Sequence, residues 1–146
     1  MQKEFIGKGS LNKIKCIVNE IKPKKILLVT GKKSFLSSGA SNKINSLLRN
    51  FNIIIFNDFQ SNPKIEDVKC GIGLFKSYNP DLIIAIGGGS AIDMAKMINI
   101  LSVQKDSKLT DYIKNPLLIK RRGIPLVAVP TTIGTGSEST QFSVLY

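Results

Sequence analysis

Short apolar runs alternate with amphipathic stretches along this sequence of 146 residues. The runs are uninterrupted and rich in isoleucine, leucine and valine, as expected of parallel strands that are buried on both faces. They are residues 26–30, 53–56, 82–86 and 126–129. The amphipathic stretches, which repeat apolar residues with helical spacing, are residues 10–21, 40–50, 65–78 and 91–101. Because strands and helices in this order form right-handed βαβ units, the sequence predicts an α/β fold with a parallel sheet.

The boundaries of these elements are set by residues that start or stop secondary structure. Ser10 is the predicted N-cap of the first helix, and Pro23 lies just past its end. Residues 31–34 are predicted to form a loop, and residues 142–146 have a β-like pattern. Residues 103–123 are polar, basic and predicted to be the least regular part. The sequence shows neither a repeat nor a linker, so we expect one domain.

The chain is strongly basic, with 21 lysines and arginines against 10 acidic residues and a formal net charge of +11. Its lysines are scattered in pairs and triplets rather than gathered along one helix. The sequence also lacks zinc-finger spacing and an aromatic RNA-binding signature. We therefore expect no nucleic-acid partner, since an anionic small ligand such as a dinucleotide accounts for the same surplus.

Three other features of the composition narrow the class of protein. No apolar run approaches the roughly 18 residues of a membrane helix, and residues 1–20 carry charges throughout, so we expect no membrane segment and no signal peptide. Cys16 and Cys70 are isolated thiols, which fits a reducing cytoplasm. The sequence contains no histidine, which removes the commonest metal ligand and the commonest general base from this chain.

The strongest functional motif follows the third apolar run, where Gly87, Gly88, Gly89 and Ser90 precede a helix. Residues without Cβ let the backbone approach a phosphate, and the free N–H groups and positive end of the helix attract it. We expect Ser90 either to cap the helix or to donate its hydroxyl to the same phosphate. Asp93 lies three residues later, near the ligand edge. The alternative interpretation is a tight turn in which Asp93 completes a capping box.

A second candidate segment follows the fourth apolar run. Residues 131–138 are rich in hydroxyl groups and glycine, which bind ribose and pyrophosphate, although an ordinary Ser/Thr turn has the same composition. Pairing with a triple-glycine turn favours the binding interpretation. By contrast, Gly71 and Gly73 lie within a helical pattern, and Lys76 stands where the dinucleotide fingerprint requires a third glycine. That pair therefore predicts a helix contact, not a phosphate loop.

Both candidate segments resemble the signature motifs of one enzyme family. Residues 85–96 (AIGGGSAIDMAK) resemble the GGGSxxDxxK segment of iron-containing, group III alcohol dehydrogenases. Residues 130–138 (PTTIGTGSE) resemble the PTTxGTGSE segment of the same family, and Asn62 and Pro63 match its NP loop. The resemblance covers essentially the whole chain. The ends of the motifs are similar to the branch that contains phosphonoacetaldehyde reductases, which would act on a small, phosphonate-bearing aldehyde.

The resemblance implies a Rossmann-like parallel sheet with helices on both faces, as in the N-terminal domain of the dehydroquinate synthase-like and iron alcohol dehydrogenase fold. It implies NAD or NADP as the cofactor for hydride transfer to or from a small alcohol or aldehyde. Gly87, Gly88, Gly89 and Ser90 would hold the pyrophosphate, and Asp93 would lie beside the nicotinamide half. The residues implied for the ribose and adenosine side of the cofactor are Thr131, Thr132 and Thr135, and Ser137 lies in the same loop. Lys96 also belongs to the motif. For this residue, a structural or surface role is as well supported as a role in cofactor binding.

Gly31 departs from the family pattern, since many members have Asp at this position. A carboxylate there accepts hydrogen bonds from the ribose 2′-hydroxyl and repels a 2′-phosphate. Gly31 removes that repulsion, and Lys32 and Lys33 supply cations. We therefore expect this chain to tolerate NADPH.

A second departure concerns the metal. Family members bind Fe²⁺ or Zn²⁺ through an Asp and three His of a helical domain, and a sequence without histidine does not supply those ligands. We therefore expect residues 1–146 to be the dinucleotide-binding domain, inactive alone, with the C-terminal helical metal-binding domain absent from this chain. The face that would meet that domain should be apolar, which predicts a homo-oligomer.

Two alternatives remain. The first is a fragment similar to glycerol-1-phosphate dehydrogenase or dehydroquinate synthase. The GTGSE motif at residues 134–138 favours the alcohol dehydrogenases over this alternative. The second is a nucleotide-binding module without catalysis, as the missing histidines would predict of this chain alone.

Overall fold

The computed structural model describes residues 4–7, 9–32, 34–37, 39–132, 134–140 and 143. Across these ranges the chain forms four parallel strands in one sheet. The strands are β1 (Lys25–Thr30), β2 (Asn52–Phe56), β3 (Leu82–Gly87) and β4 (Leu126–Pro130). The four apolar runs predicted as strands are therefore confirmed, with at most one residue added at either end. The predicted α/β class and parallel sheet are confirmed as well.

Six α-helices occur in the described ranges, and the four that were predicted are all present. They are α1 (Lys13–Ile21), α2 (Ser34–Ser37), α3 (Ala40–Leu48), α4 (Ile65–Tyr78), α5 (Gly89–Ser102) and α6 (Leu109–Lys114). Short 3-10 turns occupy Ser10–Asn12 and Pro116–Leu118. The β-like pattern at residues 142–146 lies outside the described residues apart from Ser143. None of the helices in the described ranges has the length and apolar character needed to cross a membrane.

Four predicted boundaries are wrong, each for a local reason. The helix predicted at residues 91–101 begins at Gly89, because Gly88 is its N-cap. Gly9, not Ser10, is the first N-cap, because Gly9 adopts a left-handed backbone (φ 86°) and its carbonyl accepts a hydrogen bond from Asn12 N–H. The predicted loop at residues 31–34 ends where α2 begins, and Phe35 of that helix is buried. The second predicted helix, at residues 40–50, ends at Leu48, whose carbonyl accepts the N–H of Phe51.

Helices cover both faces of the sheet, which explains why its strands are apolar without interruption. Ile26 and Leu28 of β1 pack with α1 and α3, whereas Leu27 and Val29 of the same strand pack with α4 and α5. All four side chains are buried. Because successive residues of a strand point to opposite faces, a strand covered on both sides needs apolar residues at every position.

The strand order β2-β1-β3-β4 positions the candidate site. The chain leaves β1 toward one edge of the sheet to reach β2, and leaves β3 toward the other edge to reach β4. The carboxyl ends of β1 and β3 therefore flank a crevice at which the connections diverge. Open α/β sheets bind their ligands at such a switch point.

Residues 103–123 are more ordered than predicted. Buried polar side chains form hydrogen bonds to the backbone of this segment and of Ile124, which follows it. Asn99 both accepts from the N–H and donates to the carbonyl of Ile124, each at 2.9 Å. Gln104 accepts from Arg121 N–H at 3.1 Å and donates to the Arg121 carbonyl at 2.7 Å. The Tyr112 hydroxyl accepts two backbone N–H groups at 2.9 and 2.8 Å. This segment thus carries α6 and a 3-10 turn instead of an irregular coil.

Of the glycine pair in α4, Gly71 makes the predicted helix contact, whereas Gly73 does not. A Cβ at Gly71 would overlap the side chain of Ile98 in α5 and lie 3.0 Å from Cε1 of Phe56. A Cβ at Gly73 would meet nothing within 4 Å. Gly71 therefore lets α4 and α5 approach each other, and neither glycine lies in a phosphate loop.

Candidate functional site

The turn between β3 and α5 places the first backbone N–H groups of a helix at the carboxyl edge of the sheet. Gly87 is the last residue of β3, Gly88 is the N-cap of α5, and Gly89 is its first helical residue. The first N–H groups of a helix have no acceptor within that helix, and a glycine N-cap provides no side-chain acceptor. This geometry, together with the positive end of the helix, suits an anion such as a phosphate.

The hydroxyl-rich loop packs directly on this turn. Thr131 N–H donates to the Gly87 carbonyl at 2.9 Å. A Cβ at Gly88 would lie 3.2 Å from Oγ1 of Thr132, and a Cβ at Gly89 would lie 3.1 Å from Oγ of Ser137. The absence of side chains at these two glycines therefore lets the loop approach the turn. The structure thereby joins two motifs that are about 40 residues apart in the sequence.

The four predicted hydroxyl residues of this loop differ in their surroundings. Thr132 and Thr135 are exposed, and Thr135 Oγ1 accepts the N–H of Ser137 at 3.5 Å. Ser137 is buried against Gly89. Oγ1 of Thr131 is buried and has no hydrogen-bond partner in the described part of the chain. A buried hydroxyl without a partner costs free energy, so the Thr131 hydroxyl fits a ligand that supplies one.

Ser90 does not cap α5, because Gly88 occupies the N-cap position. The Ser90 hydroxyl instead donates a hydrogen bond to the backbone carbonyl of Ser61. Ser61 belongs to the loop that contains Asn62 and the buried Pro63, just before α4. Ser90 therefore ties the turn to the loop that follows β2, a contact that the sequence did not indicate.

Asp93 lies too far along α5 to complete a capping box, since the N3 position after Gly88 is Ala91. Its carboxylate forms an ion pair with the Lys96 ammonium at 3.5 Å, and the two side chains are only 10% and 13% exposed. Lys96 also donates to Oγ1 of Thr140 at 3.3 Å. The Asp93–Lys96 pair therefore connects α5 to the residues that follow the hydroxyl-rich loop.

Gly31 and Lys32 follow β1 at the same edge of the sheet. Gly31 is half-buried, and the exposed Lys32 ammonium forms an ion pair with Asp58 at 2.7 Å. The hydrogen bond and the charge of Lys32 hold the pKa of Asp58 below its ordinary value, so this carboxylate is ionised at neutral pH. Asp58 was not among the predicted site residues. The signal that could have indicated it is its position just after β2, because the carboxyl ends of parallel strands share one edge.

The family model for iron-containing alcohol dehydrogenase matches residues 2–146. The chain belongs to the iron-containing alcohol dehydrogenase family. The resemblance of the two motifs to this family is therefore confirmed at the scale of the whole sequence. In the structure, the two motifs that resemble the family's signatures pack against each other at one site.

Two curated relatives and one solved structure illustrate the similarity. NADH-dependent butanol dehydrogenase A of Clostridium acetobutylicum is 37% identical over 98% of this chain and 36% of its own length. NADPH-dependent butanol dehydrogenase of Clostridium saccharobutylicum is 36% identical over 97% of this chain and 36% of its own length. The crystal structure of sulfoacetaldehyde reductase from Bifidobacterium kashiwanohense in complex with NAD⁺ is 28% identical, with a TM-score of 0.79, over 96% of this chain and 39% of that one.

The chain spans a little over a third of the length of the curated iron-containing alcohol dehydrogenases that it matches. The matched part contains both glycine-rich and hydroxyl-rich segments. Within the described ranges, no three Cys, Asp or Glu side chains are grouped in a way that could hold a metal ion. The described residues therefore offer a candidate dinucleotide site but not a metal site.

Proposed function

We propose that residues 1–146 form the NAD(P)-binding part of a metal-dependent alcohol dehydrogenase or aldehyde reductase. The single observation that carries the proposal is the contact between the Gly87–Ser90 turn and the hydroxyl-rich loop at the carboxyl edge of the sheet. This contact supports binding because it surrounds a helix N-terminus with hydroxyl donors and acceptors. The reaction class is hydride transfer between a nicotinamide cofactor and a small alcohol or aldehyde, as the names of the two butanol dehydrogenases suggest.

The residues of the site fit a dinucleotide. The N–H groups of Gly89 and Ser90, with Gly88 as the N-cap, would hold the pyrophosphate, because they are free of helical acceptors. The unpartnered Thr131 hydroxyl would donate to or accept from the cofactor. Thr132, Thr135 and Ser137 would line the ribose and adenosine side, and Asp93 would stand beside the nicotinamide half, held there by Lys96. When bound, the nicotinamide supplies the hydride chemistry, and this chain's residues bind and orient it.

The metal ligands of the whole protein are proposed to lie outside these residues, in a C-terminal helical domain. The complete absence of histidine supports this division, as does the coverage of only about 36% of the relatives' length. On this proposal, the chain alone binds cofactor and does not turn over substrate.

An anionic aldehyde is the proposed substrate class of the whole enzyme, with a phosphonate-bearing aldehyde as the specific candidate. The net charge of +11 favours an anionic ligand. The structural similarity to a sulfoacetaldehyde reductase supports the same class, because sulfoacetaldehyde is also a small aldehyde with an anionic group.

Fluorescence titration with NADH and NADPH tests the proposal. Both dinucleotides are expected to bind the 146-residue chain with saturation, and NADPH is expected to be tolerated because Gly31 carries no carboxylate. An aldehyde-reduction assay with added Fe²⁺ or Zn²⁺ is expected to show no turnover. Absence of binding at millimolar dinucleotide would refute the proposed function, whereas metal-dependent turnover would refute only the separate location of the metal ligands.

A homo-oligomer in a reducing cytoplasm is the proposed state of the protein. Edge strand β4 leaves the side chains of Leu126–Val129 half-exposed, and an edge strand is a ready site of association. Leu117 is 88% exposed in the turn ahead of that strand. Both cysteines are exposed free thiols, which suits a reducing compartment. Light scattering after size-exclusion chromatography should therefore give a mass of at least a dimer, and a monomer at all concentrations would contradict the expectation.

A further inference from the structure

We propose that Asp58 is a determinant of cofactor choice, which competes with the 2′-phosphate of NADPH for the ammonium of Lys32. The inference rests on the proposed dinucleotide binding and adds to it a residue that the sequence motifs do not contain. Lys32 alone would favour a 2′-phosphate. Asp58, at 2.7 Å from the same ammonium, opposes that preference.

The topology brings Asp58 to the same carboxyl edge of the sheet as Gly31, Lys32 and the Gly87–Ser90 turn. Phe56, the last residue of β2, pairs with Val29 of β1, so the residues after these strands leave the same edge of the sheet. Asp58 lies two residues beyond β2, and Lys32 lies two residues beyond β1. In dinucleotide-binding α/β sheets, an acidic residue accepts a hydrogen bond from the ribose 2′-hydroxyl. Lys32 follows Gly31 directly, and its ammonium holds the Asp58 carboxylate at this end of β1. Asp58 therefore supplies the carboxylate that Gly31 lacks.

The charges of the pair give the two cofactors different interactions. With NADH, Lys32 stays paired with Asp58, and the second oxygen of the carboxylate accepts the 2′-hydroxyl. With NADPH, the 2′-phosphate brings about −1.5 to −2 charges at neutral pH, so Lys32 turns to the phosphate while Asp58 repels it. Both side chains are largely exposed, at 59% and 89%, which leaves them free to exchange partners. One ion pair thus accounts for acceptance of both cofactors.

Dissociation constants of NADH and NADPH for Asp58→Asn, Lys32→Gln and the double variant test the inference. Asp58→Asn is expected to lower the Kd of NADPH by about 5-fold and to raise the Kd of NADH by up to about 2-fold, because exposed charge pairs have modest effects. Lys32→Gln is expected to raise the Kd of NADPH by a similar factor. The effect of Asp58→Asn on NADPH should shrink in the Lys32→Gln background and at high ionic strength.

Asp106→Asn is the matched control, since Asp106 also forms an exposed ion pair, with Arg121 at 3.9 Å, and the substitution changes the net charge by the same amount. An NADPH-to-NADH selectivity that changes equally in Asp58→Asn and Asp106→Asn would overturn the inference and leave the proposed function intact. Equal changes in the Kd of both cofactors in Asp58→Asn would overturn it as well. Failure of the unaltered chain to bind either dinucleotide would refute the proposed function and this inference with it.

Discussion

Gly89→Val is expected to weaken the binding of NADH by about 100-fold, which corresponds to the loss of roughly two charge-assisted hydrogen bonds. Even the Cβ of a side chain at this position would lie 3.1 Å from Oγ of Ser137 and 3.3 Å from Cβ of Thr135. The additional methyl groups of valine would push the hydroxyl-rich loop away from the turn and cover the N–H groups of the helix start. Fluorescence titration with NADH measures the change directly.

Gly73→Val is the matched control for this substitution. Gly73 also lies in a helix, but a Cβ there meets nothing within 4 Å. The control should bind NADH as tightly as the unaltered chain, because valine is at least as good a helix residue as glycine. Circular dichroism should show both variants folded, since Gly89 lies at the edge of the sheet rather than in its core. Equal NADH affinity for both variants would contradict the proposed location of the pyrophosphate.

Asn99→Ala is expected to lower the free energy of unfolding by about 2–4 kcal/mol. Asn99 is buried in α5, and its amide forms two hydrogen bonds of 2.9 Å to the N–H and carbonyl of Ile124. Its removal leaves both backbone groups without these partners and frees the segment that leads into β4. Urea denaturation measures the loss, and the midpoint of thermal unfolding should fall by about 5–10 °C.

Asn45→Ala is the control for Asn99→Ala, because Asn45 is an exposed asparagine within a helix. Its effect should stay within about 0.5 kcal/mol of zero. Gly123→Ala provides a second test, since a Cβ at Gly123 would overlap the Asn99 side chain. Gly123→Ala should destabilise the unaltered chain but cost much less in the Asn99→Ala background. Additive effects of the two substitutions on the free energy of unfolding would show that the Asn99 side chain does not pack against Gly123.

The strands were predictable because their pattern is a direct consequence of burial. In β1 and β3, every residue between the ends packs against a helix on one face or the other, so the sequence contains apolar runs without polar interruption. The fold class follows from the order of those runs and the helices between them. The start of the first helical segment was misplaced because a 3-10 turn at Ser10–Asn12, capped by the left-handed backbone of Gly9, precedes α1, and Ser10 offers an equally plausible cap in the sequence.

The candidate site was predictable only in its parts. The triple glycine and the hydroxyl-rich loop each carry a local pattern, and each follows a strand. Gly88 and Gly89, however, also allow the hydroxyl-rich loop to pack on the turn, which the sequence pattern does not reveal. A glycine that admits a phosphate and a glycine that admits another loop look the same in a sequence. Gly88 and Gly89 have the second role in the structure, since Thr132 and Ser137 lie where their side chains would be.

The sequence by itself determined the α/β class, the family and the two motifs, because burial and backbone freedom leave local patterns in the order of residues. Only the tertiary structure decided which side chains meet. The partner of Lys32 is 26 residues away, the partner of Asn99 is 25 residues away, and Ser90 reaches back 29 residues to Ser61. Contacts of this kind depend on how strands and helices pack in space, and polar partners far apart in the chain carry no periodicity that a sequence could display.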